Sequence, residues 1–216
     1  MPRQAIQAHA TAIQVPYLLH FTRVTNLPSI MAHGLYPIAR AHEIGAAPNV
    51  NDQLRLDGYR NGTSVSIAFP NSQMFYKYRK DCQDNGEDVD WAVLVLHPAA
   101  LWTKDCAFCR HNAADARISG LPLAGLKTPQ AFTGMFDEIE GHTSREEQKL
   151  KGFDPTDVQA EVLVFDVIEP QYILGAVFEK AAVRDAYAAH LGERKSYLHA
   201  NNKGMFASRG YARKYQ

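Results

Sequence analysis

The chain has 216 residues, 46% of them hydrophobic and 21% charged, with 23 basic side chains balancing 23 acidic ones. Those figures exclude a disordered or fibrous chain and fit a single domain large enough to bury about 70% of its unfolded surface. Zero net charge supplies no bulk attraction to nucleic acid, no apolar run approaches the roughly 18 residues of a membrane span, and three cysteines make no disulfide framework, which points to a reduced, cytoplasmic setting.

In chain order, Met1 to Ile6 lack the basic-then-apolar pattern of a secretory signal. Tyr17 to Phe21 reads as a short strand. A helix follows, with Asn26 as its cap, Pro28 in the first turn and Gly34 as its stop. Residues 38–62 are polar and aperiodic, a long loop. Ser64 to Phe69 alternates small polar with apolar residues, the mark of a half-buried strand. Pro70-Asn71 ends that strand and Ser72 to Lys80 reads as a helix.

Trp91 to Leu96 is a continuous apolar run, hence a central strand. Residues 110–158 are punctuated by Gly and Pro from Gly120 to Pro155, too long and broken to be filler. Glu161 to Val167 alternates as a strand, Tyr172 to Phe178 is another, and Lys180 to Leu191 forms an amphipathic helix. The order lacks a βαβ rhythm, so the fold class is α+β. One domain spans 1–216, with its core at about 17–178 and a basic helical segment at about 180–216. After Glu193 no acid remains, while Arg194, Lys195, Lys203, Arg209, Arg213 and Lys214 alternate with aromatics. Such a tail either binds a single nucleic-acid strand or is a solvated helix.

Gly-x-Gly-x-x-Gly after a strand, a Walker loop and Gly-x-Ser-x-Gly are all missing, which removes the commonest dinucleotide, phosphate and hydrolase signatures. Cys106 and Cys109, with His97 and His111 nearby, raise the question of zinc, but a closed site needs a second pair. They read as buried small residues in a turn, and no metal is expected. Glu161 is the sharpest candidate. A carboxylate fixed at the start of a strand can steady an oxocarbenium-like sugar as a glycosidic bond breaks. Arg55 is a forked, permanent cation suited to a pyrophosphate or a base anion, with Arg60 as its rival. His20 and Thr22 end an early strand within reach of a ribose. Phe69, Phe75 and Tyr76 can wall a ring pocket.

Taken in order, these segments resemble the DarT family of bacterial DNA ADP-ribosyltransferase toxins. The resemblance runs through Leu18-Leu19-His20-Phe21-Thr22, Asn26 to Leu35, Asn51 to Gly58, Ser64 to Asn71 with Met74 to Arg79, Cys106 to Ala113, and Gln159 to Leu163. It implies a single ADP-ribosyltransferase fold with a mixed, split central sheet and flanking helices. It implies NAD as co-substrate, held by His20, Phe21, Thr22, Ser29, Leu35 and Arg55, with Glu161 catalytic and Arg55 assisting loss of the acceptor's proton. It places Tyr76, Phe132, Phe136 and Phe153 against a base of single-stranded DNA, most simply thymidine, and adds a macrodomain antitoxin as partner. The same chemistry on RNA or guanosine, and a non-catalytic nucleic-acid-binding module, are the alternatives.

Overall fold

The computed structural model describes residues 2–45 and 57–215. Along the chain come helix α1 (Pro2–Ala12), strand β1 (Leu18–Arg23), helix α2 (Leu27–His33), a 3-10 segment (Ile38–Ile44), β2 (Thr63–Ile67), α3 (Ser72–Asp84) and β3 (Trp91–Leu96). Next are α4 (Ala100–Thr103), β4 (Cys106–Cys109), and the short helices α5 (Ala116–Ser119), α6 (Leu123–Leu126) and α7 (Pro129–Gly134). The chain closes with β5 (Glu161–Val164), β6 (Ile173–Phe178), α8 (Ala181–Leu191), β7 (Lys195–Leu198) and α9 (Arg209–Tyr215). The strands form one sheet in the order β4-β5-β2-β1-β3-β6-β7. Its pairs are antiparallel except β6 with β7. This is the α+β class expected, with a mixed central sheet and flanking helices.

Two apolar layers explain the pattern of the strands. β3 is buried along its whole length because both of its faces are covered. Leu94 and Leu96 enter the main core, where Ile6 and Ala10 of α1, Leu27, Ile30 and Met31 of α2, Phe132 of α7 and Leu191 of α8 pack on the sheet. Val93 and Val95 enter a second core under Phe75 of α3 and the C-terminal Met205 and Phe206. β1 divides likewise, Leu18 to the first core and Leu19 to the second, as a two-residue repeat requires. Each fully buried leucine contributes about 1.5–3 kcal/mol relative to exposure. A third, smaller cluster joins β4 and β5 to α5 and α6 through Ala107, Cys109, Ile118, Leu126 and Leu163.

The sheet opens at its centre. β1 pairs with β3 continuously from Leu18↔Leu96 to Arg23↔Trp91. With β2 it shares only Leu18↔Ile67 and Leu19↔Ser66. Beyond that point the β1–β2 ladder stops, and β2 continues with β5 through Val65↔Val162, Ser64↔Leu163 and Thr63↔Val164. The molecule therefore carries two half-sheets, β1-β3-β6-β7 and β2-β5-β4, hinged at Leu18 and Leu19.

Several expectations change. Asn26 gives α2 no side-chain cap; its Nδ2 donates to Thr22 Oγ1 at 3.0 Å and ties the helix to β1. Gly34 does end α2, at φ 95°. A Cβ there would overlap the Ile168 carbonyl oxygen, which accepts from Leu35 N at 2.9 Å. β2 ends at Ile67 rather than Phe69, because Ala68 turns to φ 61° and Phe69 N bonds back to Ile67 O at 2.7 Å. β5 ends at Val164 rather than Val167, with Phe165 N still reaching Asp105 O at 2.9 Å. Cys106 to Cys109, expected in a turn, form a strand. α1 and β7 were not anticipated. Every residue of β7 is exposed, so backbone pairing to β6, rather than apolar burial, holds it.

Candidate active site

The opening between the half-sheets places the early polar residues. His20 lies where the β1–β2 ladder has ended, and its Nδ1 meets Ser64 O at 2.9 Å. A carbonyl oxygen only accepts, so Nδ1 donates and carries the ring proton. The side chain thus bridges strands that no longer pair through their backbones. Thr22, two residues on, is 2% exposed and fixed by Asn26. Ser29 is part-exposed on α2. Leu35 is buried and bridges to Ile168, which secures the turn after α2. Phe21 packs against Phe75 with ring centroids 4.7 Å apart and belongs to the second core, so it props the strand from below.

Glu161 is the first residue of β5, as expected, and is buried, 8% exposed. It pairs with Cys109 across β4–β5, and its Oε1 accepts the Ala113 N–H at 2.6 Å. Continuing the β2–β5 register by one position sets Ser66 opposite Glu161, and Ser66 itself pairs with Leu19 of β1. The backbones of the carboxylate and of the early histidine are therefore two strand spacings apart with β2 between them, on the order of 10 Å.

The cysteine pair gives no metal site. Cys106 enters the main core and Cys109 the β4–β5 cluster, on opposite faces of the strand. Burial pushes the Cys106 thiol up to about 12. It raises the Cys109 thiol further, with the Glu161 carboxylate adding to the effect.

The broken segment before β5 carries Asp157 and His142, which sequence reasoning passed over, beside His111, which it weighed only as a zinc neighbour of the cysteines. His111 Nδ1 and Asp157 Oδ2 are 2.7 Å apart in a buried pair. The second oxygen of Asp157 accepts Gln159 N–H at 2.8 Å. His142 stands beside them, its ring 5.9 Å from that of His111. The donor atoms of the three residues lie within 4.8 Å of one another. The signal available in the sequence was a histidine next to Asn112-Ala113 at the end of a short apolar run, with its partner 46 residues on.

Three arginines fasten this segment. Arg213 grips Asp154 with both arms, at 2.7 and 2.6 Å. Arg209, 5% exposed, donates to the carbonyls of Pro155 at 2.6 Å and Thr156 at 2.9 Å. Burial lowers its guanidinium to about 10. Arg145 reaches Asp154 O and Thr156 Oγ1, both at 2.8 Å. The basic tail is thus largely an internal clamp. Tyr211 and Tyr215 remain exposed on α9.

The aromatic candidates separate. Phe132 is fully buried, between Phe108 at 5.0 Å, Phe136 at 5.4 Å and His9 at 5.7 Å. Its faces are spent on the core, which displaces the expectation that it stacks on a base. Phe136 and Phe153 are part-buried against the same core. Tyr76 is 68% exposed on α3, the one of the four with a ring open to solvent. Arg55 lies outside the described residues; Arg60 is exposed.

Three comparisons bear on this arrangement. The family model described as DarT, ssDNA thymidine ADP-ribosyltransferase, matches residues 19–206. Comparison with curated proteins returned no match. Among solved structures, Thermus sp. 2.9 DarT in complex with ADP-ribosylated ssDNA superposes with a TM-score of 0.56 at 15% identity, covering 87% of this chain and 95% of that one. The same protein in complex with NAD+ gives 0.54 at 14% identity, covering 87% and 96%. Thermosipho africanus DarTG in complex with ADP-ribose gives 0.56 at 14% identity over 84% of this chain, but only 49% of that chain is covered. At such identities the superpositions speak for the fold.

Proposed function

This chain belongs to the DarT family of ssDNA thymidine ADP-ribosyltransferases, and from that premise we propose that Glu161 and the opening beside His20 are where it cleaves NAD and passes ADP-ribose to a thymine of single-stranded DNA. The observation that carries the reading is the buried Glu161 carboxylate, held by Ala113 N–H at the head of β5, the strand next to β2, whose other edge borders the seam that His20 bridges. As the bond between nicotinamide and ribose stretches, positive charge grows on the sugar. A carboxylate fixed before the reaction stabilises that charge with no reorganisation at the moment of bond breaking.

His20, Thr22 and Ser29 supply small donors and acceptors on one side of the opening, as ribose hydroxyls require. Phe21 and Leu35 hold the strand and turn that carry them. For Arg55, the reading keeps a role beside the pyrophosphate or the departing base proton. Tyr76 is assigned to stack on a base, with Phe136 and Phe153 supporting the segment that meets the strand. The Thermosipho africanus protein that this chain resembles is a DarTG, which supports extending the reading to a macrodomain antitoxin. Among the described residues no helix is long and apolar enough to cross a membrane; the reading itself places the action in the bacterial cytoplasm.

The test is direct. Labelled NAD incubated with thymidine-containing single strands should give ADP-ribosylated oligonucleotide, seen by mass spectrometry. Glu161→Gln should lower the rate by about 1,000-fold or more, the scale of losing a preorganised electrostatic partner, while the fold, followed by circular dichroism, is unchanged. Product on RNA or on protein alone would overturn the acceptor, and an active Glu161→Gln would overturn the site.

A further inference from the structure

Transfer to thymine has a second chemical requirement that Glu161 does not meet. The base's one ring N–H, at N3, must lose its proton as N3 attacks. An arginine is a poor acceptor, since its guanidinium stays charged. We propose that His111, positioned by Asp157, is the base that takes this proton; the proposal rests on the transferase reading given above.

Position comes first. Cys109 pairs with Glu161, and four residues later Ala113 N–H returns to Glu161 Oε1. His111 is the middle residue of that loop, so its Cα lies within about 7 Å of chain from either tether. Asp157 lies four residues before Glu161 on the strand's approach. The acid that steadies the sugar and the imidazole are thus carried by one small frame.

Chemistry comes second. A carboxylate only accepts, so the 2.7 Å contact has His111 Nδ1–H donating to Asp157 Oδ2, which leaves Nε2 as the basic nitrogen. Among the described residues Nε2 has no hydrogen-bond partner, and it is not one of the polar atoms sealed from solvent. Asp157 is itself held by Gln159 N–H, and Arg209 fixes the backbone at Pro155 and Thr156 just before it. A buried carboxylate that orients an imidazole and stabilises the imidazolium is the arrangement that makes histidine an effective base. A metal reading fits less well. Ligands about 2.0–2.1 Å from zinc stand roughly 3.3 Å apart, whereas this pair is at hydrogen-bond distance.

The step balances. The N3–H bond breaks and its proton passes to His111 Nε2. The N3 electron pair forms a bond to C1″ of the ribose. The C1″–nicotinamide bond breaks, and its pair neutralises the pyridinium as nicotinamide leaves. The imidazolium, next to the Asp157 carboxylate, then releases its proton to water.

Groups facing the dyad are Glu161 of β5, Asp115 and Arg117 of α5, Arg209 of α9 and His142 of the same segment. With the full chain, NAD and a thymidine oligonucleotide, His111→Gln and Asp157→Asn should each lower the transfer kcat by about 100-fold or more with KM for NAD unchanged. Added imidazole should restore transfer to His111→Gly but not to Glu161→Gln. Should His111→Gln fail to fold, Asp157→Asn, which preserves shape, carries the comparison. Rates within about threefold of wild type, a parallel loss of NAD binding, or no rescue of His111→Gly by imidazole would each overturn the proposal. Wild-type enzyme that hydrolyses NAD yet labels no DNA would instead sink the transferase reading itself, and the proposal with it.

Discussion

His199 accepts a hydrogen bond from Met205 N–H through its Nδ1 at 3.2 Å, a role open only to the neutral ring. It stands against Gly204, whose φ of 55° and lack of a Cβ make room for the imidazole. Burial lowers the pKa of this histidine below its ordinary 6.5. In the window from 6.5 down to the folded value, the unfolded chain holds a proton that the folded chain does not, so stability is fully present above 6.5 and is lost as pH falls through that window. Melting temperatures measured from pH 7.5 to 5 should therefore drop more steeply for wild type than for His199→Gln. Equal slopes would mean that other groups govern acid sensitivity.

Among the elements, α9 and the segment before β5 depend on one another. Asp154 is fully buried and receives two arms of Arg213 and the Lys151 N–H at 2.8 Å, while the buried Arg209 nearby gains from its charge. Removing one member of such a buried charge pair leaves the other uncompensated, at a cost of about 3–5 kcal/mol. Asp154→Ala should lower the unfolding free energy by that amount in denaturant titrations. It should also expose residues 145–157 to limited proteolysis before the rest of the chain. Loss of about 1 kcal/mol or less would mark the network as a solvated surface contact.

What the residue order made legible follows the same physics. Glu161 was readable because it shares a face with Leu163 at the head of an alternating run, and β3 because six consecutive apolar residues need cover on both sides. The arginines of α9 looked like a solvated tail because their partners are more than 50 residues away, at Asp154 to Thr156. The pairing of His111 with Asp157 was missed on similar grounds, the two being 46 residues apart. Phe132 was misplaced because irregular sequence around an aromatic looks like an open loop, whereas three short helices here turn it inward. Pairing across distance is what periodicity does not encode.

At the scale of the whole molecule, charge sets how a strand can be held. The chain carries no net charge, and several of its arginines are committed within the fold: Arg145 and Arg209 to backbone carbonyls, Arg213 to Asp154, and Arg194 to the carbonyls of Ile173, Leu191 and Pro170. Those four guanidinium groups are then not available to neutralise phosphates, so the expected affinity leans on stacking and on the pocket around the acceptor base. Each neutralised phosphate of a single strand contributes about −0.7 to the slope of log K against log salt. The expected slope for a thymidine oligonucleotide, measured by fluorescence anisotropy, is shallower than about −3, equivalent to roughly four phosphates or fewer. Tyr76→Ala should weaken binding by about 1–3 kcal/mol with that slope unchanged. A steep slope, together with indifference to Tyr76, would show that phosphate contacts dominate and that the exposed ring is not part of the strand's path.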